Sequence, residues 1–431
     1  MKSVWKDSVK LNEFNSFKGE KSVDVLIIGG GLAGVLCAYF LQRAGADYML
    51  IEGNKIGCGI TVNTTAKITA QHSLIYDRLI DQFGFERAQQ YLKANLWALS
   101  EYESLCKDID CDFEQLPSFV YSKSDGDAIE KEVNAVNNLG FKAQFQSQIP
   151  FDFKNAGAIR FDSQAQFNPL KFLNHISKGL NIFEDTFAQR IVGMTCHCKN
   201  AVIKAKNIII ATHFPIFNFH GLYPFKMYQS RSYVIAAENT PNVNGMYVDE
   251  KGEGFSFRNY KNLLLVGGGD HRTGKQSGGF NEVDNFIKLN YKQAENKYLW
   301  ATQDCITLDK VPYIGQCALT KPDIYVATGF NKWGMTTSMV SAKILSDFIL
   351  NGESEWSDVF SPQRSIFTKQ LAVNISEAAS GLISFKKRRC PHMGCVLKWN
   401  KNEKTWDCPC HGSRFSKDGE LINNPAKRNI K

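Results

Sequence analysis

The chain has 431 residues, more than one hydrophobic core usually organises, so its length predicts two or three domains. Its formal net charge of +8 is spread along the sequence, and nothing in the composition indicates nucleic-acid binding. The N-terminus lacks the apolar stretch of a signal peptide, and the twelve cysteines do not form a framework of extracellular disulfides. We therefore expect a cytoplasmic protein.

The first predicted elements form a nucleotide-binding unit. Residues 24–28 are an apolar strand, and residues 35–44 form a helix that follows a glycine-rich turn. Gly29, Gly31 and Gly34 satisfy the G-x-G-x-x-G pattern there, where they allow a tight turn, close approach of a pyrophosphate, and close packing of helix on strand. The uncharged stretch around them is as long as a membrane helix, but its glycines favour the turn, and we expect no membrane span.

A second strand, residues 48–51, ends at Glu52, whose carboxylate can accept hydrogen bonds from ribose hydroxyls. Because NAD and FAD both use this motif, the choice between them depends on later segments. Residues 57–67 are a run of small and hydroxyl residues of the kind that lies along the ribityl chain and ring of a flavin. Its threonines are Thr61, Thr64 and Thr65.

Two later segments belong to the same pattern. A buried strand ends at Thr212, and a strand, a turn and a helix occupy residues 323–350. The turn and the start of that helix contain Gly329, Gly334, Met335 and Thr336. Together with the N-terminal motif, these segments resemble the flavin oxidoreductases of the D-amino-acid oxidase and glycine oxidase superfamily, over about residues 22–352.

That resemblance implies FAD as the cofactor and an α/β protein, α+β overall, in which a Rossmann-like FAD-binding domain is interleaved with a mixed-sheet substrate domain. The FAD-binding domain would take residues 1–80, 155–225 and 300–352, and the substrate domain residues 81–154 and 226–299. It also implies a backbone contact from Val192 to adenine, and backbone amides from Gly329 to Thr336 at the electron-poor edge of the flavin ring.

Flavin chemistry needs a substrate held against the ring, with little other help from the protein. Charged and aromatic residues that could line such a pocket are Arg231, Tyr233, Arg258, His271, Lys332 and Trp333. We select Arg258, His271 and Lys332 as candidate catalytic residues. Arg258 can clamp a substrate carboxylate bidentately, as in the amino-acid oxidases, or form a surface ion pair. His271 can lie at the ring or cap the loop that precedes it.

The last segment carries the strongest chemical pattern. Cys390 and His392 are spaced C-x-H, and Cys408 and His411 are spaced C-x-x-H. Two cysteines and two histidines can hold a [2Fe–2S] cluster in which imidazoles replace the thiolates on one iron, although the same set also suits tetrahedral zinc. Glycines in both loops, Pro409 between two cysteines and a serine after the second loop favour the cluster.

This pattern resembles the Rieske family. The resemblance implies that Cys390 and Cys408 bind one iron, that His392 and His411 bind the other, and that the two additional cysteines, Cys395 and Cys410, form a disulfide between the loops. Its combination with the flavin segments resembles bacterial Rieske-containing FAD-dependent oxidoreductases.

The Rieske segment, residues 384–431, is near the lower limit for independent folding. We therefore expect it, and the apolar linker at residues 353–383, to dock on the flavin body rather than swing freely. We also expect the imidazoles of His392 and His411 to be exposed where electrons enter or leave.

Three functions fit these features. The first is an oxidoreductase in which FAD reacts with a small amine or amino-acid-like substrate and the cluster passes single electrons to or from a carrier protein. The second is an electron-transfer protein between protein partners, without a small substrate. The third is an oxygen-dependent amine or amino-acid oxidase with a structural cluster.

Overall fold

The computed structural model describes residues 1–217, 221–252, 254–365, 369–383 and 388–430. Residues 384–387, which open the expected Rieske segment, lie outside the described residues.

The α-helices are α1 (Leu32–Arg43), α2 (Tyr76–Phe83), α3 (Phe85–Cys106), α4 (Gly126–Asn138), α5 (Pro169–Ile176), α6 (Tyr223–Lys226), α7 (Phe280–Asn290), α8 (Gly334–Asn351), α9 (Ser357–Phe360) and α10 (Lys369–Ile383), with short 3-10 helices at Val4–Asp7 and Thr61–Asn63. The strands are β1 (Gly19–Ile28), β2 (Tyr48–Ile51), β3 (Lys67–Ile68), β4 (Glu114–Ser122), β5 (Ala143–Gln146), β6 (Gly157–Gln166), β7 (Ile182–Phe183), β8 (Ala188–Val192), β9 (Thr195–Cys198), β10 (Ala201–Ile210), β11 (Met227–Glu238), β12 (Met246–Asp249), β13 (Ser256–Tyr260), β14 (Leu263–Arg272), β15 (Glu295–Thr307), β16 (Tyr313–Ala318), β17 (Lys321–Thr328), β18 (Lys398–Asn400), β19 (Thr405–Asp407), β20 (Arg414–Phe415) and β21 (Leu421–Asn423).

The first sheet has a Rossmann-like centre. Its strands lie in the order β16, β17, β10, β1, β2 and β7, and β1 runs parallel to both β10 and β2. The end of β1 is buried because helices cover the sheet, and α1 packs beside α8 on one face. Gly34 permits the close approach of α1 to the turn after β1, since a Cβ atom there would lie 1.9 Å from the carbonyl oxygen of Gly29.

The second sheet is larger and mixed. Its order is β15, β11, β14, β13, β12, β4, β6 and β3, with β5 paired to β6. It includes β6 and much of β15, although the expected domain boundaries place residues 155–166 and 300–307 in the FAD-binding domain. The physical reason is strand pairing: β6 pairs antiparallel with β4, and β15 pairs antiparallel with β11 along nearly its whole length. Hydrophobic pattern alone does not reveal which sheet a strand joins.

The third sheet, β18 to β21, forms the base of the C-terminal segment. This base docks on the second sheet through a buried ion pair between Arg231 of β11 and Glu403, and Glu403 also pairs with Arg414. The preceding helix, α10, lies against the body as well, because the side-chain amide of Asn374 donates to the backbone oxygen of Phe225. Among the described residues, no helix is both long and apolar enough to cross a bilayer.

Candidate functional site

A cavity of about 790 Å³ lies between the first and second sheets. This volume is within the range of about 300–1,000 Å³ that is usual for ligand and cofactor sites. The cavity extends from the turn after β1, past the 57–65 loop, to the start of α8. It therefore joins the three segments that the sequence assigns to a flavin dinucleotide.

The glycine turn has the shape that a pyrophosphate requires. Gly29 has a φ of +116°, and a Cβ atom there would lie 2.5 Å from the carbonyl oxygen of Ala211. The Glu52 carboxylate lines the cavity and accepts hydrogen bonds from the backbone N–H groups of Gly30 at 2.7 Å and Asn54 at 2.8 Å. Burial raises the pKa of Glu52 although these N–H groups oppose the shift. An open turn at the start of a helix, with an acidic residue on the next strand, fits FAD.

Three buried side chains hydrogen-bond the backbone of the loop at residues 57–67, which we call the flavin loop. The indole of Trp5 donates to the backbone oxygen of Thr64 at 2.7 Å, and the indole of Trp300 donates to that of Asn63 at 3.0 Å. Arg258 donates to the backbone oxygens of Thr65 and Ala66, both at 2.8 Å. Thr61, Thr64 and Thr65 line the cavity.

This geometry agrees with neither alternative for Arg258, the carboxylate clamp or the surface ion pair. Arg258 is 1 % exposed, lies outside the cavity lining, and packs over the ring of Trp5. Its hydrogen bonds fix the backbone of the flavin loop instead. The strand position was predicted, but the direction of the side chain depends on the partner strand.

His271 also lies away from the cavity. Its imidazole hydrogen-bonds the hydroxyl of Tyr233 at 3.0 Å and lies 2.9 Å from the backbone oxygen of Arg272, on the side where the C-terminal segment docks. Lys332, in contrast, lines the cavity, where it forms an ion pair with Asp270 and donates to the backbone oxygen of Gly252 at 2.7 Å. Of the three catalytic candidates, the structure brings only Lys332 to the cavity.

Of the remaining cofactor candidates, some line the cavity and others do not. Thr212, Gly334 and Met335 line the cavity. Gly329 and Thr336 lie just behind its wall; Thr336 donates to the backbone oxygen of Thr69 at 3.1 Å. Val192 is 57 % exposed on β8 and lies outside the cavity lining, and its expected backbone contact to adenine stays a prediction.

Sequence inspection missed several cavity residues. Phe187 and Ala188 lie at the end of the cavity where the sequence had placed Val192. Arg78, Asp304 and Lys310 bring charge into it. For Asp304 a signal was available, because Thr302, Asp304 and Ile306 alternate along β15 and all line the cavity. Arg78 lies on α2, for which no cavity was expected.

Two similar loops form the Cys-His site. In the first loop the backbone N–H of Gly394 donates to the oxygen of Cys390 at 2.9 Å, and in the second that of Gly412 donates to the oxygen of Cys408 at 2.9 Å. Gly394 and Gly412 have φ values of +78° and +82°, which other residues rarely adopt. The two loops therefore present their ligands in the same way. A disulfide between Cys395 and Cys410 joins them, with the Cα atoms 6.6 Å apart.

The four predicted ligands converge between these loops. The thiols of Cys390 and Cys408 hydrogen-bond each other, and the rings of His392 and His411 have centroids 5.0 Å apart. Contact with Cys408 outweighs burial, and neighbouring N–H groups and the Ser413 hydroxyl add to it, so the pKa of Cys390 falls to about 7. Paired thiols on one side and paired imidazoles on the other fit a [2Fe–2S] cluster with two different iron sites. Ser413 can donate to the cluster sulfur ligands.

The prediction that both imidazoles are exposed is wrong for His411. His411 is 2 % exposed, lies against the ring of Phe214, and its backbone oxygen accepts a hydrogen bond from the side chain of Gln229 at 2.6 Å. His392 is half-buried. Docking of the segment covers the His411 side of the site, because the second loop faces the flavin body.

The cluster loops lie directly behind a wall of the flavin cavity. On β15, Thr302 and Asp304 face the cavity, while the side chain of Gln303 between them donates to the backbone oxygen of Gly412 at 2.9 Å. The C-terminal segment also forms part of the cavity wall itself, through residues of 421–426. The amide of Asn424 there donates to the backbone oxygens of Thr212 and Phe214, both at 2.7 Å.

A dinucleotide cavity that shares a wall with a Cys-His cluster site defines a flavin and iron–sulfur oxidoreductase. A family model described as FAD dependent oxidoreductase matches residues 24–348, and one described as Rieske [2Fe-2S] domain matches residues 353–431. The chain belongs to the FAD dependent oxidoreductase family and carries a C-terminal Rieske domain, so its cofactors are FAD and a [2Fe–2S] cluster, not zinc.

Individual proteins agree with this assignment. The chain is 32 % identical to a protein of Bacillus subtilis described as "Putative Rieske 2Fe-2S iron-sulfur protein YhfW", over 100 % of the chain and 97 % of the relative. Among solved structures, L-proline dehydrogenase from P. horikoshii matches with a TM-score of 0.67 and 16 % identity, over 80 % of this chain and 98 % of the other. Glycine oxidase from Geobacillus kaustophilus matches with a TM-score of 0.67 and 16 % identity, over 80 % and 99 %. These two likenesses show the fold.

Proposed function

We propose that the protein oxidises a small amine or amino-acid-like substrate at FAD and passes the electrons singly through the Rieske cluster to a carrier protein. FAD, when bound, accepts two electrons together and can release them one at a time. The observation that carries the proposal is the shared wall: Gln229 lines the cavity and also donates to the backbone oxygen of the cluster ligand His411. Such an arrangement suits electron transfer over a fixed, short path.

A small substrate is supported by the charges inside the cavity. Arg78 and Lys310 both line it, and neither forms an ion pair within 4.0 Å with any residue of the described ranges. Burial and the nearby Arg78 lower the pKa of Lys310 to about 8. Two neighbouring cations in one pocket favour an anionic group such as a carboxylate. They take the role that sequence inspection gave to Arg258.

The ammonium of Lys332 is already paired, so we assign Lys332 a role in positioning neighbouring groups rather than in binding an anion. Its ammonium is bound to Asp270 and to the backbone oxygen of Gly252, and the next residue, Trp333, stacks on His72 with ring centroids 4.9 Å apart. These contacts hold the start of α8 against the cavity. We propose that they also orient the substrate, since Lys332 and Trp333 both line the cavity.

Anaerobic reduction tests the proposal. The FAD-loaded and cluster-loaded chain is mixed with amines, amino acids or reduced carrier proteins, and absorbance is followed at flavin and cluster wavelengths. We expect an amine or amino acid to bleach the flavin first and the cluster afterwards. Reduction by carrier proteins alone, with no response to any small molecule, contradicts the proposal and supports an electron-transfer protein without a substrate.

A ligand variant distinguishes a relay from an oxidase with a structural cluster. His392→Ala removes one cluster ligand, and His197→Ala, on β9 in the first sheet, is the control. We expect the ligand variant to keep flavin reduction but to lose turnover with one-electron acceptors by at least about tenfold. Rapid peroxide formation with unchanged turnover in His392→Ala would show that the cluster is not the relay.

A further inference from the structure

Asp304 places a carboxylate in the cavity that no described residue neutralises directly. It lies on β15 between Thr302 and Ile306, and all three line the cavity. Asp304 is half-buried, and its exposed surface belongs to the cavity wall. Within the described ranges its carboxylate accepts no hydrogen bond and forms no ion pair within 4.0 Å.

The charged groups around Asp304 are already engaged with others. Lys332, which precedes α8, is paired with Asp270 of β14. Arg231 of β11 is paired with Glu403 of the C-terminal segment. Burial is the main cause that raises the pKa of Asp304 to about 7; Asp270 adds to the rise, and Lys332 and Arg231 oppose it. An isolated carboxylate in a low-dielectric cavity is costly unless a ligand supplies the cation.

We propose that Asp304 binds the ammonium group of the substrate and accepts its proton, so that a neutral amine is presented for oxidation. This inference rests on the proposed function. Removal of a hydride from the carbon beside nitrogen is assisted by the nitrogen lone pair, which an ammonium ion lacks. In this step one N–H bond breaks, one O–H bond forms on Asp304, and no electrons are transferred.

The position suits that role. A proton acceptor works best when its pKa is near the working pH. Burial raises the pKa of Asp304 to about 7, which meets this condition. Arg78 and Lys310 lie on the same cavity and can take an anionic end of the same molecule. Asp304 thus distinguishes amines from simple carboxylic acids, which present no cation to it.

Binding of two opposite probes tests the inference directly. Butylamine and butyrate are titrated into the FAD-loaded full chain without oxygen, and the flavin spectrum reports binding. We expect Asp304→Asn to weaken butylamine at least about tenfold and to leave butyrate within about twofold. Asp323→Asn, at an exposed position on β17, is the control and should change neither. Equal butylamine binding by wild type and Asp304→Asn, or no butylamine binding by the wild type, overturns the inference.

A pH profile separates proton transfer from simple charge attraction. With the best amine of the reduction panel, wild-type flavin reduction should slow below about pH 7 as Asp304 becomes protonated. Asp304→Glu should keep such a limb, and Asp304→Asn should be slow and lack it. Equally fast reduction by Asp304→Asn contradicts the inference while leaving the proposed function intact. If no small molecule reduces the flavin although butylamine binding depends on Asp304, the proposed function fails and the amine site stands.

Discussion

Two glycines at the docking surface permit close contacts that the sequence motif does not reveal. Gly412 follows a cluster ligand, has a φ of +82°, and a Cβ atom there would lie 2.6 Å from the side chain of Gln229. Gly274 is similar, since its Cβ atom would lie 2.7 Å from the backbone of Pro409. The motif predicts a tight loop at Gly412, but contact with β11 is visible only in the folded molecule.

Gly412→Ala tests this contact. Gly419→Ala is the matched control, because Gly419 lies in the same segment with a φ of +95° but its Cβ atom would only come within 3.4 Å of Ile430. Both variants carry backbone strain of about 1–2 kcal/mol, and overpacking against Gln229 adds about 1–3 kcal/mol in Gly412→Ala alone. Urea denaturation followed by the visible circular dichroism of the cluster should give Gly412→Ala the lower midpoint. Equal midpoints would mean that this contact relaxes without cost.

Buried charge at the same interface is a second property of single residues. The side chains of Arg231, Glu403, Arg414 and Asp407 are each no more than 6 % exposed and form one continuous set of ion pairs. Burial alone would raise the pKa of Glu403, but Arg231 and Arg414 together lower it below its ordinary value. Sequence inspection placed Arg231 in the substrate pocket, because the partner carboxylate is 172 residues away.

Glu403→Gln leaves Arg231 without its carboxylate, and loss of one partner of a buried pair costs about 3–5 kcal/mol. Since the pKa of Glu403 is lowered on folding, the carboxylate stabilises the folded chain above its unfolded pKa of about 4.3, and this contribution is lost as the pH falls further. The stability difference from wild type should therefore be large at pH 7 and shrink below about pH 4. Glu420→Gln, exposed in the same segment, should be neutral. A difference that persists unchanged in acid rules out the carboxylate as its source.

At the scale of elements, strands were easier to find than their partners. The apolar end of β1 and the whole of β2 follow from their sequences. The polar first half of β1 escaped detection, because residues 19–22 are exposed and pair with β10, which is distant in sequence. Pairing across the chain also decides that β15 has one face on the flavin cavity and the other on the cluster loops.

The flavin loop gives a test at this scale. Arg258→Met removes the donors to Thr65 and Ala66, and buried carbonyls without a partner cost about 1–3 kcal/mol each. We expect the dissociation constant of FAD to rise at least about tenfold, while KM for the substrate at saturating FAD stays within about twofold. Arg160→Met, on β6 and outside the cavity lining, is the control. A large rise in KM with unchanged FAD affinity would restore Arg258 as a carboxylate clamp.

For the whole molecule, the sequence established the cofactor classes better than their arrangement. Spacing together with the resemblance to the Rieske family indicated Cys390, His392, Cys408 and His411, since a cluster needs its ligands on two short loops. It could not show that His411 faces the flavin body, because that depends on contacts with Phe214 and Gln229 that are distant in sequence. The docked C-terminal segment and the FAD-binding part of the chain therefore form one cavity wall together.

This docking predicts that electrons pass between flavin and cluster without domain movement. The segment is fixed by the buried ion pairs of Glu403, by Gln303 on Gly412, and by Asn424 on the strand end at Thr212. Domain swings are collective motions that solvent friction slows, whereas transfer across a fixed path is insensitive to friction. After flash reduction of the flavin, the rate of cluster reduction should therefore change less than about 1.5-fold when glycerol raises the viscosity about fivefold.

Glu403→Gln supplies the contrast for this measurement, because a loosened segment must find its docked position before transfer. In this variant the rate of cluster reduction should fall as viscosity rises, whereas the rate of flavin reduction by substrate should not change. If the wild-type rate falls in proportion to viscosity, the cluster moves during turnover, and the shared cavity wall describes only one of its positions. Ionic strength also separates a fixed wild-type segment from a mobile one. If the segment is fixed, its buried ion pairs are screened weakly and the rate of cluster reduction should not depend on salt. If it moves, re-docking guided by Arg231 and Glu403 should slow as salt is added.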